Sequence, residues 1–350
     1  MGGPILVTGG AGFIGSHVVD ALLERGAEVR VVDALLPAAH GARPDYLDPR
    51  AEWLEGDLRD AEVARRAVHG VGAVCHQAAM VGLGADIADI ADYVAHNALA
   101  TARLLEALAG SGFGGRVVLA SSMVVYGEGR YACPEHGIVR ARPRTSEALD
   151  RRVFEPACPE CGRRLAPRPV PEDAPLDPRN VYAATKVSQE HLCEAFARET
   201  GVPITALRYH NVYGPRMPRD TPYSGVASVF RSALEAGSAP RVFEDGGQTR
   251  DFVHVRDVAR ANVLALAAPE PVSGPFNVAS GTPRTVLEMA RALARAFGGD
   301  VQPEVTGEWR AGDVRHVFAS AERAADVLGF RAQEDFDAGM REFASAPLRR

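Results

Sequence analysis

The sequence has 350 residues, 46% of them hydrophobic, and a formal net charge of −6. That is enough chain for one large or two modest domains around a substantial core. Weak acidity argues against a polyanion-binding surface, and no apolar stretch is long enough to span a bilayer. The N-terminus runs directly into a strand-like segment without a signal-peptide pattern, so a cytoplasmic protein with no membrane or nucleic-acid partner is expected.

Ile5-Leu6-Val7 predicts a first strand, and Thr8-Gly9-Gly10-Ala11-Gly12-Phe13-Ile14-Gly15 a glycine-rich turn into a helix reaching about Arg25. Gly9 permits the tight turn, Gly12 lets the backbone approach a pyrophosphate, and Gly15 lets helix and strand pack closely. The helix aims its positive end at the phosphates. Gly26 ends it, and Glu28–Asp33 alternates like a strand. Asp33 closes that strand, where a carboxylate accepts ribose hydroxyls and repels a 2′-phosphate. Turn, helix, strand and terminal acid together predict bound NAD rather than NADP.

Gly56-Asp57-Leu58 follows a third strand, within reach of an adenine. Ala73–Gln77 reads as a buried strand, and Ala78 and Ala79 are small enough for a cofactor to lie across its end. Arg116–Ala120 leads into Ser121-Ser122, and Pro203–Arg208 is a further strand. Alternating strands and helices predict an α/β protein with a doubly wound parallel sheet. Cys75 and Cys193 look like core residues.

Tyr182-Ala183-Ala184-Thr185-Lys186 puts a phenol and an ammonium on neighbouring turns of one helix face. A free tyrosine has a pKa of about 10. One nearby cation lowers such a value by about 1–3 units, so Lys186 and a positive nicotinamide ring are expected to bring Tyr182 toward neutrality as a base. Beside the glycine loop this predicts an oxidoreductase core.

Between about Glu128 and Asp173, Cys133-Pro134-Glu135-His136-Gly137 and Cys158-Pro159-Glu160-Cys161-Gly162 form two C-P-x-[C/H]-G turns. Such turns aim backbone amides at paired ligands, so Cys133, His136, Cys158 and Cys161 are candidates for one closed, structural zinc site. A metal-free loop is the alternative, and disulfides are not expected in the cytoplasm. The arginines of this stretch (Arg140, Arg142, Arg144, Arg151, Arg152) raise nucleic-acid binding, but acidic residues interrupt them. A lid or wall beside the active site is the preferred reading, because both ends of the insertion emerge between Ser122 and Tyr182.

Taken in order, TGGAGFIGSH (8–17), HQAA (76–79), SSMVVYG (121–127), YAATK (182–186), NVYGP (211–215), RDFVHVRDVA (250–259) and RAGD (310–313) resemble the extended short-chain dehydrogenase/reductases, of the nucleotide-sugar epimerase and dehydratase kind. The resemblance implies an NAD-binding Rossmann domain over 1–210, with 249–268 returning to it. It implies a smaller, discontinuous nucleotide-sugar-binding domain over 211–248 and 269–350, with the zinc-knuckle insertion at 128–173. It also implies a homodimer joined by helices near 97–109 and 181–199. Ser122 takes the position of the family's catalytic hydroxyl beside Tyr182 and Lys186. Asn97 fits a cofactor-side family asparagine, with a helix-surface position or a supporting place behind the ligand-contacting residues as the alternatives. Met123, Asn211, Arg250 and Arg310 fall where the family holds substrate and its diphosphate, and Phe243 where it packs the base.

Sugar 4,6-dehydratases of this family carry an Asp-Glu pair after the serine, and related decarboxylases a Glu. This chain has Met123 and Val124, which move no proton, and the cysteine used in 3,5-epimerisation is absent from the segment. What remains is oxidation at C4, turnover of a transient 4-keto sugar, and hydride return to its other face: 4-epimerisation. The paired knuckles resemble a subgroup acting on dTDP-L-rhamnose; UDP-glucose or UDP-glucuronate 4-epimerisation and 4-ketoreduction are the alternatives. A non-catalytic NAD sensor is disfavoured because Ser122, Tyr182 and Lys186 are all present. Side chains around Met80–Gly84 and Met217–Tyr223 are candidates for sorting 6-deoxy from 6-hydroxy sugars.

Overall fold

The computed structural model describes residues 2–37, 39–81, 87–219, 225–310 and 312–349. Of the expected sugar-sorting segments, 82–84 and 220–223 lie outside these residues. Seven strands, β1 (Ile5–Thr8), β2 (Val29–Asp33), β3 (Glu52–Glu55), β4 (Ala73–His76), β5 (Arg116–Ser122), β6 (Ile204–Tyr209) and β7 (Gly274–Val278), form one sheet in the order β7-β6-β5-β4-β1-β2-β3. Every pairing is parallel. Every residue of β1, β4 and β6 is buried, because helices cover both faces. Such strands read as continuous apolar runs instead of alternating ones.

On one face, the helices Phe13–Leu23 and Val255–Ala267 bury Val18, Leu22, Val258 and Leu266 against the sheet. On the other, the helices Ala61–Val68, Ala100–Gly110 and Val181–Thr200 bury Leu104, Leu108 and Cys193. Cys75 sits in the first cluster, so both isolated cysteines are core residues. The chain reverses its direction of travel across the sheet between β1 and β4. The loops after Thr8 and His76 therefore diverge there and open a crevice for a ligand.

Asn211–Tyr213, Thr249–His254, Pro283–Thr285 and His316–Val317 form a second, four-stranded sheet, packed on a separate core of Tyr213, Phe230, Phe252, Met289 and Phe343. The sequence-based division needs two changes. Thr249–His254 pairs within this second sheet, although its Val253 and the helix after it pack on the Rossmann core. Conversely, β7 extends the large sheet, and Ala324, Leu328 and Phe330 join the first core. The signal was weak because β7 has five residues and no periodicity of its own. The insertion is a small three-stranded sheet, Arg130–Cys133 between Gly137–Val139 and Ala166–Arg168, with its own core of Tyr131, Cys133, Ala141, Cys158 and Leu165. Among the described residues, no helix is long and apolar enough to cross a membrane.

The glycine loop is fixed by close approach. Gly9 has φ 68°, and a Cβ there would lie 2.7 Å from the Ala78 amide nitrogen. A Cβ on Gly15 would overlap the Gly9 carbonyl. Gly26 shares the left-handed conformation (φ 75°) but faces open space. Gly9→Ala should therefore cost about 2–3 kcal/mol of stability and Gly26→Ala about 1 kcal/mol, read from urea unfolding midpoints. Equal losses would contradict the packing argument.

Candidate active site

The helix Val181–Thr200 begins at Asn180, whose side chain accepts a hydrogen bond from the Ala183 amide (2.8 Å), and closes at the left-handed Gly201. One face of the helix lies against the end of β5, burying both Tyr182 and Lys186. Ser122, the last residue of β5, shares a hydrogen bond with the Tyr182 hydroxyl and accepts one from the Val124 amide (3.4 Å). The Lys186 ammonium donates to the Ala120 carbonyl (2.9 Å) and lies 5.9 Å from the Tyr182 ring centre. The structure thus brings the three predicted catalytic side chains together. Lys186 is also the single lysine of the sequence, against 38 arginines among its 39 basic residues.

Burial pushes the Lys186 ammonium down to about 8, against the pull of Glu190 one turn further on. Burial also pushes the Tyr182 phenol above its usual range, and the Ser122 hydrogen bond only partly opposes this. Here the sequence expectation needs correcting. The ammonium points at a backbone carbonyl and not at the phenol, so the protein's own residues keep Tyr182 protonated at neutral pH. A cation brought close to the phenol would lower it.

The residues of the crevice fit a dinucleotide. Gly12 precedes the helix Phe13–Leu23 with no side-chain cap, leaving first-turn amides available for phosphate. The Asp33 carboxylate is aimed by hydrogen bonds from the Ala11 (2.9 Å) and Leu35 (2.9 Å) amides. Gly9 packs on Ala78, and the Thr8 hydroxyl accepts from the Gln77 and Ala78 amides (both 3.1 Å), shaping the far wall that continues into Ala79. Phe13 packs on the second core, Ile14 on the first, so the loop joins both lobes. Asp57 pairs with Arg59 (2.7 Å), and Leu58 is buried beneath.

Two expected cofactor residues serve differently. The Asn97 side chain is fully buried, donating to Met80 O (2.9 Å) and Thr185 Oγ1 (2.9 Å) and accepting from the Met80 amide (2.7 Å). It braces the loop after β4 against the helix of Tyr182, a supporting role and not a helix-surface one. The Gln77 amide donates to Tyr209 (3.0 Å), Asn262 (3.0 Å) and Cys75 (3.2 Å), so its side chain supports the crevice from behind.

On the substrate side, Met123 is half-buried against the Val125–Tyr126–Val170 cluster. Asn211 has a buried side-chain oxygen with no hydrogen-bond partner, an acceptor left for a ligand or water. The exposed Arg310 guanidinium lies 5.6 Å from the Phe243 ring centre, pairing a cation with an aromatic platform. Arg250 departs from expectation. It is buried and donates to the carbonyls of Thr249 (3.0 Å), Arg315 (2.9 Å) and Val314 (2.6 Å) and to Asp313 (3.3 Å). Its fork holds the loop carrying Arg310, because acceptors from that turn surround it.

Cys133, His136, Cys158 and Cys161 converge, their candidate ligand atoms all within 4.8 Å of one another. Cys133 Sγ lies 3.6 Å from both His136 Nδ1 and Cys161 Sγ, and Cys158 Sγ lies 3.6 Å from His136 Nδ1. Ligands of a tetrahedral zinc stand about 3.5–3.8 Å apart, so the donor set fits that ion. The Glu135 amide faces Cys133 Sγ (3.4 Å), as a thiolate requires. All five cysteines are free.

Sequence reasoning missed the hub that docks this insertion. Arg315, only 2% exposed, pairs with Glu155 of the insertion (2.7 Å) and with Glu244 (2.8 Å) and Asp245 (2.7 Å) of the second lobe. Arg144 of the insertion pairs with Glu244 (2.8 Å) and donates to Asp313 O (2.8 Å). Glu155 also meets His316 (3.0 Å), and Trp309 donates to Asp150 (3.1 Å). Nothing local in the sequence separates Arg144 from the solvated arginines around it; only the charge count over 144–155 and 308–316 hinted at pairing.

The single lysine makes the buried ammonium directly measurable. With carbon-13 confined to lysine, one ε-carbon resonance should titrate near 8 instead of at the ordinary value of about 10.4. A midpoint above 10 would contradict the burial described here.

A family model described as the NAD dependent epimerase/dehydratase family matches residues 5–279. A dTDP-L-rhamnose 4-epimerase of Burkholderia thailandensis is 33% identical, the match covering 97% of this chain and 94% of that protein. Among solved structures, a UDP-glucose 4-epimerase of Thermotoga maritima with UDP-glucose superposes with TM-score 0.79 at 31% identity, covering 97% of each chain. The UDP-glucose 4-epimerase of Thermus thermophilus in complex with NAD gives TM-score 0.76 at 30% identity, again covering 97% of each. With a parallel sheet opening at its switch point, a glycine loop against Ala78, and Ser122, Tyr182 and Lys186 around the end of β5, the chain belongs to the NAD dependent epimerase/dehydratase family of enzymes.

Proposed function

We propose that this protein is a nucleotide-sugar 4-epimerase whose substrate is dTDP-L-rhamnose or its 4-epimer. The carrying observation is the Ser122–Tyr182–Lys186 cluster followed by Met123 and Val124. Proton transfer is available at one oxygen of the sugar, and neither Met123 nor Val124 offers a second acid or base to eliminate water. Bound NAD supplies a hydride acceptor and donor for the carbinol carbon, and its positive ring is the cation Tyr182 lacks. Tyr182 takes the proton of the 4-hydroxyl and returns it, while Ser122 holds the same oxygen. Lys186, held by Ala120, packs beside the Tyr182 ring and keeps the phenol placed. The 6-deoxy substrate is supported by the B. thailandensis relative and by the paired C-P-x-[C/H]-G turns.

The insertion serves the nucleotide end. Its charged docking residues Arg144, Asp150 and Glu155 reach the two segments, 243–245 and 308–316, that carry Phe243 and Arg310. We read it as a zinc-stapled wall that holds the nucleotide-diphosphate site. Its free thiolates suit the reducing cytoplasm. Ile90, Val94 and Leu99, exposed on a helical run packed beside Val181–Thr200, support a homodimer through these helices.

An NMR assay without added cofactor should show inversion at C4 of dTDP-L-rhamnose. Turnover of UDP-glucose or UDP-glucuronate alone would transfer the assignment to those sugars. A strict requirement for external NAD(P)H would make the enzyme a ketoreductase. Tyr182→Phe should lower kcat by about 100- to 10,000-fold with NAD still bound; unchanged turnover would reject the base. Cys158→Ser should release zinc and raise KM for the nucleotide sugar roughly tenfold or more, with kcat much less affected. Unchanged zinc content and KM would reject the wall.

A further inference from the structure

The last described residues turn back over the glycine loop. The Arg349 amide donates to the Met217 carbonyl (3.0 Å), and its carbonyl accepts from the Arg219 amide (2.9 Å). This backbone pairing decides where the side chain goes. Its Nη1 lies 3.8 Å from where a Cβ on Gly12 would stand. The guanidinium is also within hydrogen-bonding reach of the Tyr46 hydroxyl, which itself donates to the Ala11 carbonyl (2.8 Å). The cation therefore sits over the loop, on the crevice side of the helix start.

Two of its three guanidinium nitrogens, Nε and Nη1, are closed off from solvent and have no hydrogen-bond partner among the described residues. By contrast, the buried Arg208 and Arg315 engage acceptors from every guanidinium nitrogen. A covered guanidinium with unused donors is costly unless a ligand completes it. The adjoining first-turn amides of the helix Phe13–Leu23 attract the same kind of ligand.

We propose that Arg349 is a cofactor-binding residue that clamps the diphosphate of the dinucleotide against the glycine loop. The inference rests on the NAD reading above and adds a residue beyond the matched family model, which ends at 279. A diphosphate offers the fork two oxygens and a negative charge, where none of the described carboxylates forms an ion pair with Arg349. A 2′-phosphate is the weaker choice, because Asp33 holds a carboxylate at the ribose end of the same crevice. The C-terminal tail then acts as a strap, its backbone anchored on 217–219 and its tip on the cofactor.

The test compares wild type, Arg349→Gln and Arg349→Lys, all full-length, by nucleotide content after purification and by calorimetric titration of nucleotide-stripped protein with NAD, NADP and adenosine. Arg349→Gln should weaken NAD binding about 10- to 100-fold, leave adenosine unchanged, and melt like wild type without ligand. Arg349→Lys, keeping charge without the fork, should fall between. Equal NAD affinity in wild type and Arg349→Gln would overturn the inference, as would matching losses for NAD and adenosine, or a loss confined to NADP. A wild type that binds no dinucleotide would instead fail the cofactor reading itself.

Discussion

A buried ammonium must find an acceptor or lose its charge, and in this protein that requirement organises the catalytic end of the sheet. Lys186 meets it with the Ala120 carbonyl, two residues before Ser122. The contact sets the helix of Tyr182 against the tip of β5, and so sets the hydroxyl of Tyr182 at that of Ser122. Behind it, Glu190 on the next turn accepts from Ser121 and from Arg208 (3.0 and 2.7 Å). Arg208 passes the connection to Tyr126 (2.8 Å), which donates to Asn277 on β7 (2.8 Å). Removing one charge from such a buried pair leaves the other uncompensated, a loss of about 3–5 kcal/mol. The site's geometry and the core's electrostatics are therefore one problem with one solution.

A second buried chain ties the cofactor loop to the same helix. Thr8 at the end of β1 bonds His76 at the end of β4 (2.7 Å), His76 bonds Thr101 (2.9 Å), and Gln189 donates to Thr101 (2.7 Å). Burial, with Lys186 adding to it, pushes His76 down to about 3, so its ring stays neutral and its role is geometric. Asn97 adds a parallel strut to Thr185 from a π-helical stretch, Val94–Leu99. The extra residue of such a turn lets one polar side chain face inward from an otherwise apolar helix face. Both reactant sites thus hang on one buried polar framework.

The insertion holds together by different means. It is too small to build a large core, and its compactness comes from four converging ligands and a few buried side chains. Its attachment is electrostatic. Glu244, with a left-handed backbone (φ 55°) that non-glycine residues rarely adopt, sits between Arg144 and Arg315. Two arginines from different parts of the chain over-determine that conformation, which places the neighbouring Phe243. Arg250 does the same for the turn before Arg315 through both terminal nitrogens of its guanidinium.

What the sequence determined by itself was local chemistry with fixed spacing. The glycine turn, the terminal Asp33, Tyr182 and Lys186 on one helix face, and the paired Cys/His turns are each set within a few residues. Backbone sterics and helical periodicity constrain such short runs strongly. The alternation of strands and helices gave the layered class by the same means. What only the tertiary structure decided depends on contacts between distant segments. Arg250, on a family diphosphate position, became a brace because 313–315 closes around it. Asn97 turned inward because Thr185 and Met80 meet it there, and β7 joined the large sheet because β6 offered an edge. Tyr182 went against the direction its neighbour implied, since burial outweighs a cation aimed elsewhere. A residue's type and spacing state which chemistry it can do; its desolvation and partners, set by chain far away, decide which it does.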